Sequence, residues 1–146
     1  MEYSNYHLII SLDKVICDCT DMKNEKSKKI KNSYIISNCI GFDFYEYYEL
    51  NLLFSEIFEV LNNKQKINYF DGQISYLKYN KDNIEIKDLY EDRACLINTL
   101  VFIKLVLLWA EANYYLQKKI GHNWDVTMEW IEQQWKLIEE YEKNNK

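Results

Sequence analysis

Proline is absent from the 146 residues, arginine occurs once, at position 93, and glycine occurs three times. Each absence excludes something. Gly41, Gly72 and Gly121 all fall at turns between patterned segments, so none belongs to a glycine-rich loop that cradles phosphate. Arg93 alone can offer a bidentate fork, which argues against phosphate clamps built from arginine. Histidine is scarce as well, limited to His7 and His122. The missing proline, beside many Lys, Asn, Ile and Tyr, reads as an AT-rich coding sequence and concerns origin more than chemistry. Residues Met1 to Ser11 show neither the basic start nor the apolar stretch of a secretory signal. A cytoplasmic location with reduced thiols is therefore expected.

Hydrophobic residues make up 48% of the chain and charged residues 28%, a balance that excludes a wholly disordered polymer. The length suits one domain, residues 1–146, with a core large enough to fold without staples. A formal net charge of −5 disfavours nucleic acid as a ligand and suits a cationic partner. Cys17 and Cys19 would share one face of a strand. With no histidine or second pair nearby they make a poor zinc signature, and Cys39 and Cys95 stand apart, so no metal is expected.

Alternation predicts strands over His7 to Leu12 and Val15 to Thr20, with Asp13-Lys14 as their turn. Met22 to Ser33 is a lysine-rich polar run without interleaved aromatics and reads as an exposed loop. Tyr34 to Ile40 is β-branched enough to predict a strand ending at Gly41. Asp43 would then cap a helix from Phe44 to Asn62, with Leu50, Leu53, Phe54, Ile57 and Leu61 as its buried stripe. Lys66 to Phe70, Gln73 to Tyr79 and Ile84 to Lys87 predict a three-stranded meander, with Asp71-Gly72 as a two-residue hairpin turn.

All four tryptophans lie in the last third, on two predicted helices joined at Gly121. Ala94 to Ile120 is apolar around most of its circumference; Lys104 in its middle and Glu111 after the apolar window argue against a membrane span. Lys104, Glu111 and Lys118 would form its solvent strip. Asp125 to Tyr141 has apolar ridges opposite Glu129, Glu132, Lys136, Glu139 and Glu140, with Asp125 or Asn123 as its cap. An exposed Trp130 or Tyr141 would offer a homodimer surface. The predicted fold class is α+β: an antiparallel sheet packed against a middle helix and a C-terminal helical pair.

No catalytic or cofactor motif emerges. The more specific feature is the outer side of the middle helix, where Asp43, Tyr45, Tyr48, Glu49, Glu56 and Glu59 gather opposite the apolar stripe. Carboxylates there would steer a basic protein partner at long range, and tyrosines would supply rigid contact area at close range. In the segment Tyr34 to Ile40, the helix Tyr48 to Leu61, the meander from Asp71-Gly72 to Lys87 and the helix after Arg93, the chain resembles small immunity proteins of bacterial polymorphic-toxin and contact-dependent growth inhibition systems. The likeness is one of layout and composition. It implies a cytoplasmic, non-catalytic protein that binds and blocks one cognate toxin, often a nuclease. Two other readings start from the same residues. One is a small cytosolic enzyme using His122 or Cys95, and the other is a helical protein-interaction module.

Overall fold

The computed structural model describes residues 6–10, 15–19, 35–62, 67–90 and 93–145, with side chains from residue 35 onward. Two strands, β1 (Tyr6–Ile10) and β2 (Val15–Cys19), form an antiparallel hairpin in which Ile10 faces Val15. This is the predicted pair; its Asp13-Lys14 turn and the lysine-rich run lie outside the described residues. Helical residues 35–38 pass into a single π-helical turn, Cys39–Asp43. Then follow α1 (Tyr47–Asn62), a four-stranded sheet of β3 (Asn68–Asp71), β4 (Ser75–Tyr79), β5 (Asn83–Asp88) and β6 (Arg93–Asn98), and the helices α2 (Thr99–Lys119) and α3 (Met128–Asn144).

The sheet is a meander in sequence order, antiparallel throughout. Its register aligns Phe70, Leu77, Ile86 and Cys95 in one row across all four strands, and every member of that row is buried. Their partners in alternation, such as Lys78, Glu85 and Leu96, face solvent. The sheet's inner face carries α1 and α2, α3 packs on both of those helices, and the β1–β2 hairpin lies against α2 and the π-turn. One continuous apolar cluster runs from Ile35 to Ile138 through every one of the later elements. The architecture is α+β, as the pattern of the sequence predicts.

Three predicted elements differ. Residues 35–40 are helical, not extended. Ile35, Ile36, Cys39 and Ile40 are all at most 2% exposed, and the spacings 35/39 and 36/40 place them on one helical face. A strand would have turned Ile35 and Ile36 to opposite sides. The second difference is Ala94 to Asn98, which opens the predicted long helix but forms the edge strand β6. Cys95 and Ile97 point inward; Leu96, 67% exposed, points out, and its apolar side chain hid the alternation. Asn98 ends the strand and caps α2 by accepting from the Val101 N–H at 3.1 Å. The third is the cap of α3: it is Thr127, whose hydroxyl accepts from the Trp130 N–H, not Asp125 or Asn123.

α2 is long and apolar enough to cross a membrane, but 56% of its most apolar stretch is already buried among the other elements. It serves as the core helix. Of its predicted solvent strip, only Lys118 is exposed; Lys104 instead pairs with Glu142 of α3 at 2.9 Å. Gly121 closes α2 with φ +81°, a backbone conformation that glycine adopts without penalty, and the His122 N–H donates back to the Gln117 carbonyl at 2.9 Å. Trp130 is buried against α1, where its indole N–H donates to Asn51 Oδ1 at 2.8 Å, and Tyr141 is half-buried, so the exposed anchor expected of Trp130 is not observed. Replacing the buried Phe102 by alanine should cost about 3–5 kcal/mol, whereas Leu137→Ala on the outer side of α3 should stay within about 0.5–1 kcal/mol. Urea unfolding of the two variants checks this.

Candidate partner-binding site

The start of α1 is built by distant parts of the chain. Both carboxylate oxygens of Asp125, in the loop after α2, accept from the Tyr47 N–H at 3.2 Å and cap α1 from 78 residues away. Beside it the Trp124 indole N–H donates to the Tyr45 carbonyl at 2.7 Å. The rings of Tyr45, Trp109 and Trp124 pack together with centroids 5.6 to 6.4 Å apart. This clamp leaves Asp43 free of the capping role that its position suggested.

Asp43 is buried, and its Oδ1 accepts from the backbone N–H groups of Gln73 (2.8 Å) and Ile74 (3.2 Å). The loop between β3 and β4 thus wraps around this carboxylate. It comprises residues 72–74, closed by Gly72 N–H donating to the Ser75 carbonyl at 2.8 Å, so the turn falls beyond the Asp71-Gly72 pair predicted for it. Gly72 is required for another reason: a Cβ there would overlap the Asp43 carboxylate. Asp43 also faces Cys39. Burial first, then the Asp43 charge, pushes the Cys39 thiol well up, so it stays protonated and inert as a nucleophile.

Around Asp43 opens a cleft of about 460 Å³ lined by Phe42, Tyr45, Glu46, Glu49, Asp71 and Gln73 among others. Four of its lining side chains are carboxylates and none is a lysine, arginine or histidine. Two carboxylate oxygens, Asp43 Oδ2 and Glu49 Oε2, are buried without a hydrogen-bond partner. Phe42 is 68% exposed at the rim, and Tyr48, in the first turn of α1, is 70% exposed.

The six residues expected to form one outer flank therefore divide. Tyr48 and Glu59 are exposed on α1, with Leu52 between them. Glu56 is half-buried and accepts a hydrogen bond from the Tyr79 hydroxyl at 3.0 Å. Tyr45 and Glu49 line the cleft, and Asp43 lies at its floor instead of on the solvent flank. Sequence reasoning missed Phe42, Glu46 and Asp71 as site residues. The one local signal was Asp71-Gly72, but nothing in the sequence ties that turn to Asp43, 30 residues before Gln73.

His122 lines a separate cleft of about 330 Å³ with Lys118, Trp124 and Glu129, and its Nδ1 stands 3.1 Å from Gln117 Oε1. Cys95 is buried on β6 and does not line that cleft. Among the described residues no three His, Cys, Asp or Glu side chains are grouped to hold a metal ion. No family model matches the chain, and no curated protein or solved structure matches it.

Two consequences can be measured. Gly72→Ala should destabilise by about 1–3 kcal/mol through overpacking, and most of that cost should vanish in an Asp43→Ala background, a coupling that a double-mutant cycle in urea reads directly. Burial, then the charge and hydrogen bond of Glu56, raise the Tyr79 phenol far above its usual value. The folded state then keeps a proton that the unfolded chain loses above about pH 10, so stability falls as pH rises through that point. Tyr79→Phe should flatten this alkaline fall, as followed by denaturant midpoints between about pH 9 and 11.

Proposed function

We propose that this chain is a non-catalytic, acidic protein-binding inhibitor: an immunity protein of the bacterial cytoplasm that occludes the basic active site of a cognate toxin, with a nuclease as the target class that best suits its charge. The observation that carries the reading is the cleft before α1, where four carboxylates meet without a counter-cation in the lining and exposed aromatics stand close by. A nuclease site is cationic because it holds phosphates, so an acidic surface competes for the same field. Phe42 and Tyr48 add the rigid apolar contact that converts steering into lasting affinity. Inhibition of this kind needs only coverage; no cofactor and no chemistry are invoked.

The test uses a toxin-bearing reading frame adjacent to this one. Its product should be neutralised by the wild-type chain in growth assays and bind it in a salt-sensitive complex. The combined variant Glu46→Lys, Tyr48→Ala and Glu59→Lys changes exposed residues only. It should weaken the complex by about a hundredfold, flatten its salt dependence and abolish protection. Unchanged affinity and salt slope would remove this surface as the contact.

A further inference from the structure

Resting on that reading, we infer that the cleft at Asp43 and Glu49 is an arginine pocket, which takes one guanidinium side chain of the protein partner between the two carboxylates. Asp43 is 5% exposed; its Oδ1 is held by two backbone N–H groups, while its Oδ2 is buried without a partner. Glu49 Oε2 is in the same state on the α1 side. Buried carboxylate oxygens left without donors are costly, and a native fold keeps them where something arrives to satisfy them. Gly72 supports this: the Asp43 carboxylate sits where a Cβ would stand at that position, so only a glycine lets the buried acid be held there.

The shape of the site selects the cation. The carboxylates line one cleft without converging into a metal-holding group, so a spread of donors suits them better than a point charge. A guanidinium offers five N–H donors in a planar fork, is weakly hydrated, and stacks on aromatic faces. Phe42, Tyr45 and Phe70 line the same cleft and provide such faces. A lysine ammonium is compact and strongly hydrated and lacks the planar face that stacks on these rings.

The experiment titrates the full chain with N-acetyl-arginine methylamide and follows the backbone amides of Gln73 and Ile74, which donate to Asp43, by ¹H–¹⁵N NMR. The arginine probe should shift both signals saturably. The lysine analogue should bind about tenfold more weakly, and the uncharged citrulline analogue should not bind. Glu49→Gln should weaken the arginine probe by about tenfold without changing the fold by circular dichroism, whereas Glu139→Gln on the exposed side of α3 should leave it unaltered. Gly72→Ala should block the probe, a second variant independent of charge. No binding by the wild type, equal binding of lysine and arginine, or indifference to Glu49→Gln would overturn the pocket. A toxin complex that fails in the exposed-residue variant, with no arginine binding here, overturns the pocket alone. Arginine binding that persists while that variant leaves the toxin complex intact upholds the pocket and removes the flank.

Discussion

A helix with apolar residues around nearly its whole girth can exist in water only under cover, and the demand for that cover organises this protein. The sheet takes one side of α2, α3 another, and the β1–β2 hairpin a third. The covering elements then have to be held. The sheet's end is tied to the helix by Thr99, whose N–H donates to the Asp82 carbonyl and whose hydroxyl donates to the Asn80 carbonyl. The far end of α2 is closed by Gly121, and the chain that leaves it carries Trp124 and Asp125 straight to the start of α1. Hydrophobic burial supplies the driving force without direction; these few hydrogen bonds supply the direction.

The acidic cleft follows from that arrangement. Asp43 ends a π-helical turn whose apolar side is pinned in the core by Cys39 and Ile40. Its carboxylate thereby reaches the β3–β4 loop, where two backbone N–H groups stabilise one oxygen. The other oxygen is retained at a cost that an apolar residue would avoid. Immediately beyond, the first turn of α1 brings in Glu49, an acidic residue in the place where the positive end of a helix dipole favours one. Stability alone therefore accounts for Asp43 Oδ1 and for part of the preference at Glu49, but not for the two oxygens that lack donors.

How much of this was legible in the sequence depends on the range of the interaction. The stripe of α1, the inward Ile84 and Ile86 and the antiparallel meander are read from neighbours a few residues apart, and they stand as the pattern implies. Residues 35–40 misled because two adjacent isoleucines satisfy either period until the core selects one. Leu96 misled because an exposed apolar residue erases the alternation of its own strand. The candidate site was half visible. Tyr48, Glu49 and Glu59 share a helix and could be grouped by its geometry, whereas Phe42 and Asp71 join them only through tertiary contact. Capping was the least readable feature, since Asp43 and Asp125 look equally able to start a helix and each serves a segment far away.

The clamp from Asp125 to Tyr47 has a temporal side. A protein is synthesised from its N-terminus, so the residues of α1 leave the ribosome well before the acid that caps them. The first turn of that helix therefore receives its cap only after Asp125 has been made. The wall of the acidic mouth is thus held by a residue made 78 positions after the one it caps.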